Sequence, residues 1–193
     1  MIKAIVFDCF GVLTAGDGWL SFKTQYFNHD TTLLEEAVSL NKQADAGFIT
    51  YDDFIEKVAR LAGVPQEQAR MIIDNNTPNE PLFAYVAELK PRYKIGMLSN
   101  AAANWLSELF SPEQVALFDA TLLSYEAGFI KPQPEIYELM AERLGMEASE
   151  CLLIDDQERY ATGAKEVGMT AIWYRDFGQM KQELERLTTG PKN

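Results

Sequence analysis

Short apolar runs alternate along the chain with longer stretches in which apolar residues recur at helical spacing. Turn residues bound each run, a pattern typical of strands that are buried on both faces of a parallel sheet. The five runs are Ala4–Phe7, Ile95–Leu98, Ala120–Leu123, Leu152–Ile154 and Thr170–Tyr174. The pattern therefore predicts an α/β fold whose core is a Rossmann-like parallel sheet with crossover helices.

Two of the intervening stretches predict crossover helices. Ala101–Phe110 contains neither Gly nor Pro and brings Trp105 and Leu109 to one side. The stretch from Pro134 to Leu144 repeats this pattern. Both have the apolar stripe with which a helix covers a sheet.

The stretch between the first two strands is much longer than a simple crossover needs. It carries four amphipathic segments: Trp19–Phe27, Thr32–Leu40, Tyr51–Leu61 and Glu67–Ile73. We therefore expect a helical cap domain at residues 16–79, inserted into an α/β core domain formed by residues 1–15 and 80–193.

Composition and net charge reduce the range of functions that the chain could have. The 193 residues are 47% hydrophobic and 24% charged, which excludes a disordered chain. The net charge of −12 disfavours nucleic acid and anionic membrane surfaces as partners. A small anionic substrate is still compatible, because one Lys, backbone N–H groups and a divalent cation can make a local pocket positive.

The two cysteines, Cys9 and Cys151, do not make a disulfide framework and favour a reducing compartment. The first residues lack a signal-peptide pattern, and no run approaches the length of a membrane span. We expect a cytoplasmic location, while the oligomeric state stays open.

Polar side chains follow three of the predicted strands. Asp8 follows the first, Ser99 and Asn100 follow the second, and Asp155 and Asp156 follow the fourth. Each residue alone fits a turn or a helix cap equally well. Together they fall at the carboxyl edge of the sheet, where open parallel sheets bind ligands.

Lys131 lies in the segment GFIKPQPE, where Pro132 and Pro134 stiffen the chain. A loop Lys is commonly solvated. Its position after the third strand and just before a helix also suits a fixed charge partner at the same edge of the sheet.

Four segments resemble, in order and spacing, the four motifs of the haloacid dehalogenase-like (HAD) hydrolase superfamily. They are FDCFGVLT at 7–14, LSN at 98–100, GFIKPQPEIYE at 128–138 and LLIDDQERYATGAKEVGM at 152–169. The insertion resembles the helical C1-type cap of subfamily I. The third motif resembles that of a subfamily of small phosphatases and dehalogenase-like proteins, so the resemblance implies a hydrolase.

The resemblance also implies roles for individual residues. Asp8 would be the nucleophile that forms an aspartyl-phosphate on a small phosphorylated substrate. Ser99, Asn100 and Lys131 would bind the phosphoryl group, with Ser99 and Lys131 counted among the catalytic residues. These roles describe a phosphatase.

A Mg²⁺ cofactor is implied as well. Its ligands would be Asp8, Asp156 and the backbone carbonyl of Phe10, with Asp155 acting through a water molecule. Oxygen donors of this kind suit Mg²⁺.

Two positions depart from the phosphatase pattern. Phe10 occupies the place of the usual acid/base Asp, whose loss typically costs about 10²–10⁴ in rate. A good leaving group or a cap residue such as Asp17 would compensate for it. Tyr160 stands where a carboxylate or Asn commonly supports the metal.

Phe10 leaves two alternatives open. One is a metal-independent 2-haloacid dehalogenase, in which Asp8 attacks carbon and halide leaves without a proton. Asp155 and Asp156 disfavour it, because they would repel Asp8 and a carboxylate substrate unless a cation intervened. The other is a catalytically silent protein that binds a phosphorylated ligand or a partner.

Overall fold

The computed structural model of the protein describes residues 1–189. Its centre is a five-stranded parallel sheet with the strand order β3-β2-β1-β4-β5. The strands are β1 (Ala4–Phe7), β2 (Lys94–Ser99), β3 (Ala120–Leu123), β4 (Cys151–Asp155) and β5 (Thr170–Trp173). Helices cover both faces, so the predicted α/β fold with a Rossmann-like parallel sheet is confirmed.

Eleven α-helices are described in residues 1–189. The first four fall within residues 16–79: α1 (Gly18–Tyr26), α2 (Thr31–Asp45), α3 (Tyr51–Ala62) and α4 (Gln66–Ile73). The others are α5 (Glu80–Leu89), α6 (Leu106–Leu109), α7 (Pro112–Val115), α8 (Ser124–Ala127), α9 (Pro134–Leu144), α10 (Glu158–Glu166) and α11 (Phe177–Thr189). No helix in this part of the chain is long and apolar enough to cross a membrane.

Alternate residues of β1 belong to different apolar clusters, as expected for a strand buried on both faces. Ile5 and Phe7 pack in one cluster with residues of α5 and α11. Ala4 and Val6 pack in another with residues of α9 and α10. A third cluster lies within α1–α4 and gives the insertion its own core. The predicted boundaries at 15/16 and 79/80 stay a prediction, and residues 190–193 of the predicted core lie outside the described residues.

Backbone hydrogen bonds join the two ends of the insertion into a stem. The Ala15 N–H donates to Thr77 O over 2.8 Å, and the Asn79 N–H donates to Leu13 O over 2.8 Å. Between them, Thr14 and Pro78 form an antiparallel bridge. The chain therefore enters and leaves the insertion through one two-stranded connection.

The predicted helix at Ala101–Phe110 is largely wrong, because only Leu106–Leu109 is helical. The hydroxyl of Ser124 accepts a hydrogen bond from the Ala101 N–H at 2.9 Å, and Ala101 O accepts one from the Tyr125 N–H. The Ala101 carbonyl would accept from the Trp105 N–H in a helix that began at Ala101, so its contact with the start of α8 competes with that helix. The predicted helix after Pro134 is confirmed.

Candidate active site

Asp8 lies directly after the central strand β1, and its N–H donates to Ile154 O of β4 over 2.9 Å. The chain then turns tightly through Cys9–Leu13. Gly11 has a φ of +81°, a left-handed conformation that favours glycine. Its N–H donates to the Thr14 hydroxyl over 3.0 Å. This turn fixes the backbone beside Asp8.

The Lys131 ammonium joins the ends of three strands. Its Nζ donates to Asp8 Oδ1 at 2.8 Å, to Asp155 Oδ2 at 2.5 Å and to Leu98 O at 3.3 Å. Lys131 is only 1% exposed, so these charge-assisted hydrogen bonds lie away from water. Burial alone would lower the pKa of Lys131, but Asp155 and Asp8 outweigh it and raise the pKa. Lys131 therefore keeps its charge.

Asn100 holds the main chain of Lys131 with both polar atoms of its side-chain amide. Its Oδ1 accepts from the Lys131 N–H at 2.8 Å, and its Nδ2 donates to Lys131 O at 3.2 Å. This two-point contact fixes the loop that carries the ammonium. Ser99 is fully buried at the end of β2, with its hydroxyl 3.3 Å from the Asn100 carbonyl oxygen to which it donates.

Asp8, Asp155 and Asp156 form a carboxylate cluster in which one oxygen from each lies within 4.8 Å of the others. Burial, together with Asp155 and Asp156, raises the pKa of Asp8 well above its ordinary value against the opposing charge of Lys131. Burial and Asp155 raise the pKa of Asp156 to about 6. Three carboxylates facing one ammonium leave negative charge uncompensated, so the cluster fits a divalent cation.

The three carboxylates differ in how many of their oxygens already accept a hydrogen bond. Asp155 is fully buried and uses both oxygens, one on Lys131 and the other on the Gln157 N–H at 2.8 Å. Asp156 is partly exposed, and its Oδ2 accepts from Gln157 Nε2 at 3.1 Å. A Cβ added at Gly11 would lie 2.7 Å from this same Oδ2. The Phe10–Gly11 backbone therefore runs close against the Asp156 carboxylate.

A cavity of about 990 Å³ opens above Asp8 and Lys131, between the sheet edge and the insertion. One wall is aromatic, with the rings of Phe10 and Trp105 4.8 Å apart. Polar residues from both sides line the remainder: Asp17, Lys23, Lys42, Asp45, Asn100, Asp156, Arg159 and Tyr160. The cavity wall thus carries basic side chains, Lys23 and Lys42 from the insertion and Arg159 from α10, besides the carboxylates. It does so although the net charge of the chain is negative.

Comparison with known proteins identifies the family. The sequence model of the haloacid dehalogenase-like hydrolase family matches residues 2–168. The chain belongs to the haloacid dehalogenase-like hydrolases. A curated relative, the D-ribitol-5-phosphate phosphatase of Bacteroides thetaiotaomicron, is 27% identical over 95% of this chain and 97% of its own.

Solved structures support the fold of this hydrolase. A HAD family enzyme from Bacteroides thetaiotaomicron, in complex with magnesium and inorganic phosphate, is 24% identical with a TM-score of 0.72, covering 93% of this chain and 99% of its own. The L-2-haloacid dehalogenase of Xanthobacter autotrophicus is also 24% identical, with a TM-score of 0.65, covering 99% and 85%. At this identity the likeness concerns the fold alone, which phosphatases and dehalogenases share.

In this HAD-like hydrolase Tyr160, the second departure from the phosphatase pattern, lies beside the carboxylate cluster and the lysine. Its hydroxyl accepts from Asn100 Nδ2 at 3.3 Å and from Arg159 Nη2 at 2.8 Å. The Lys131 Nζ lies 5.0 Å from the centre of its ring. Tyr160 thus contacts the same lysine and asparagine from the side of α10.

The structure brings together Asp8, Phe10, Asn100, Lys131, Asp155 and Asp156, all of which the sequence singled out. Sequence reasoning missed Asp45 at the end of α2, which lines the cavity of the hydrolase. It also missed Ser124, whose hydroxyl donates to Asp45 O at 2.5 Å. Neither residue lies in a motif, and their roles depend on how the insertion meets the core.

Proposed function

We propose that this hydrolase is a Mg²⁺-dependent phosphatase that acts on a small phosphorylated metabolite through an aspartyl-phosphate at Asp8. The observation that supports it best is the buried contact between Lys131 and Asp8 beside a carboxylate cluster. A nucleophilic carboxylate, a fixed cation and a site for a divalent cation are what phosphoryl transfer to Asp requires. The relatives that carry phosphatase names support the same assignment.

Asp8 would act as the nucleophile because Lys131 fixes its orientation. The hydrogen bond from Lys131 engages Oδ1, while Oδ2 accepts no hydrogen bond from the described residues. An oxygen held in this way reaches phosphorus without first ordering its own side chain. The positive charge of Lys131 also favours the ionised form of Asp8 that attack requires.

Ser99, Asn100 and Lys131 would hold the phosphoryl oxygens. Lys131 supplies a charge whose position is set by Asn100 and Asp155. Ser99 and the adjacent backbone N–H groups, including that of Asn100, would contribute from the end of β2, where parallel sheets bind ligands. Insertion residues 16–79 would act as the cap that closes the site and excludes water.

The carboxylate cluster would hold Mg²⁺ through Asp8, Asp156 and the Phe10 carbonyl, with Asp155 acting through a water molecule. The commitment of both Asp155 oxygens to Lys131 and Gln157 supports its indirect role. When bound, Mg²⁺ would offset the repulsion between the carboxylates and the substrate phosphate.

One observation favours a second candidate, a 2-haloacid dehalogenase. Phe10 and Trp105 place an aromatic wall beside Asp8, which suits an apolar substrate and needs no proton for the departing halide. The raised pKa values of Asp8 and Asp156 weigh against it, because this chemistry has no cation to compensate the cluster. We therefore prefer the phosphatase.

The test is hydrolysis of para-nitrophenyl phosphate with Mg²⁺, with EDTA, and by the variant Asp8→Asn. We expect activity that both EDTA and the substitution abolish. Asp30→Asn is the matched control, because Asp30 caps α2 and Asn can take over that cap. Halide release from a 2-haloacid that survives EDTA would support the dehalogenase. Turnover of neither substrate, together with no Mg²⁺ binding, would support a silent binding protein.

A further inference from the structure

The active site lacks a proton donor at the position where phosphatases of this family usually carry one. Phe10 occupies that position and packs against Trp105. An unactivated phosphate ester still needs a proton on its leaving oxygen, and water must lose a proton when it attacks the aspartyl-phosphate. The cavity wall carries other carboxyl groups.

Most carboxylates in the cavity wall are already committed. Asp17 Oδ1 accepts from the Leu20 N–H at 2.9 Å and caps α1. Asp74 accepts a hydrogen bond from the Tyr51 hydroxyl. Asp156 belongs to the proposed metal site. Asp17, the residue that the sequence suggested as a substitute, is thus occupied with a structural role.

Asp45 is held at the cavity by contacts between the insertion and the core. It is the last residue of α2, and its backbone oxygen accepts from the Ser124 hydroxyl at 2.5 Å. Two residues later, Gly47 has a φ of +76°, and a Cβ there would lie 2.9 Å from Tyr125 O. The end of α2 therefore lies directly on the start of α8, and the Asp45 side chain lines the cavity.

The surroundings of the Asp45 carboxyl favour a proton near neutral pH. Burial raises its pKa to about 7, although the charge of Lys131 and a hydrogen bond from Asn41 oppose this. Asp17 raises the pKa further. A carboxyl that is protonated about half of the time near neutral pH can both give and take a proton.

We propose that Asp45 is the general acid and base of this hydrolase, supplied by the insertion in place of the carboxylate that Phe10 lacks. The inference rests on the proposed phosphatase function. It goes beyond that function in naming a catalytic residue on α2, at a cavity-lining position outside the four motifs.

The two steps of the reaction balance through this one group. In the first, a bond forms between an Asp8 oxygen and phosphorus while the bond from phosphorus to the leaving oxygen breaks. The leaving oxygen takes the proton of Asp45 and departs as an alcohol. In the second, ionised Asp45 takes a proton from the attacking water, whose oxygen bonds to phosphorus as the Asp8–phosphorus bond breaks. Inorganic phosphate leaves, and Asp45 is protonated again.

The test compares kcat/KM of the wild type and Asp45→Asn on para-nitrophenyl phosphate and phenyl phosphate. The two esters are similar in shape, but phenolate is the poorer leaving group and needs the proton more. We expect Asp45→Asn to lose about 10²-fold on phenyl phosphate. On para-nitrophenyl phosphate we expect kcat/KM within about twofold of the wild type, since nitrophenolate leaves without a proton.

Asp17→Asn is the matched control, because it removes another cavity-lining acid of the insertion and leaves a residue that can still cap α1. We expect it to keep the wild-type ratio of the two kcat/KM values. An equal loss by Asp45→Asn on both esters, or no loss on either, would overturn the role of Asp45. If wild type hydrolyses neither ester, the proposed phosphatase function fails and the role of Asp45 fails with it.

Discussion

The Nζ of Lys131 lies 2.8 Å from Oδ1 of Asp8, and the same ammonium lies 2.5 Å from Asp155, with all three residues buried. The two partners end neighbouring strands, so the lysine connects β1 to β4 at the sheet edge. Removing one member of a buried charged group leaves the others without compensation. The lysine to which we assign a catalytic role is therefore also expected to contribute to stability.

Lys131→Met is expected to lower the free energy of unfolding by about 3–5 kcal/mol at neutral pH, because two buried carboxylates lose their cation. Urea denaturation of the metal-free protein measures this. Lys94→Met is the control, since the Lys94 ammonium lies 3.5 Å from Asp119 at the surface and should contribute at most about 1 kcal/mol. Equal losses in the two variants would contradict the assigned importance of the buried contact.

Gly11→Ala is expected to weaken Mg²⁺ binding. The new Cβ would lie 2.7 Å from Asp156 Oδ2 and would displace this proposed ligand. The φ of +81° adds a strain of about 1–2 kcal/mol for a residue other than glycine. Isothermal titration calorimetry with Mg²⁺ measures the affinity. Gly16→Ala is the control, because nothing lies within 4 Å of a Cβ there. Unchanged affinity in Gly11→Ala would remove Asp156 from the metal site.

Asp45→Asn is expected to become more stable relative to the wild type as the pH rises. The folded wild type binds the Asp45 proton with a pKa of about 7, whereas an unfolded Asp titrates near about 4. The folded state thus binds more protons between these values, and wild-type stability falls as the pH rises through them. The groups that act on this carboxyl are Lys131, Asn41 and Asp17.

Asp45→Asn does not lose stability in this way. Its free energy of unfolding should therefore rise relative to that of the wild type by on the order of 1–3 kcal/mol between about pH 5 and about pH 8. Thermal or urea unfolding of both proteins across this range gives the difference directly. Groups common to both proteins cancel in the comparison. A difference that does not change with pH would show that Asp45 titrates at an ordinary carboxyl pKa.

Phe10→Asp is expected to restore turnover of phenyl phosphate in the Asp45→Asn background. It places a carboxyl at the position where related phosphatases carry their acid. The gain should be about 10²-fold if the missing proton limits the rate. Phe10→Asn in the same background is the control, because it removes the same aromatic ring without adding an acid. An equal gain from Asn would indicate that space, rather than a proton, was limiting.

The sheet and most of its helices could be predicted because their signals are local. Buried parallel strands leave apolar runs, and the amphipathic segments of the insertion begin within a residue or two of the observed helices. The helix expected at Ala101–Phe110 was wrong for a reason that is not local. Ser124, far along the chain, uses the backbone of Ala101, and helical propensity carries no information about that partner.

The candidate site shows the same difference between features with a local sequence signal and features that depend on distant contacts. Residues that end buried strands could be named from sequence, since the topology alone brings them to one edge. The two-point contact from Asn100 to Lys131 could not, because it depends on the path of the loop between β3 and α9. Asp45 left no pattern, since one more acid at the end of an amphipathic helix normally indicates only solvent exposure.

Because the stem at Ala15–Thr77 brings the two ends of the insertion together, the insertion is expected to be replaceable as a unit. The N–H of Ala15 and the carbonyl oxygen of Thr77 are 2.8 Å apart, so a short turn can join the ends that remain after the insertion is excised. A foreign helical unit with adjacent termini can be grafted at the same place. The strand order and the aspartate–lysine pair would be retained in such a chimera, while substrate selection would pass to the grafted part.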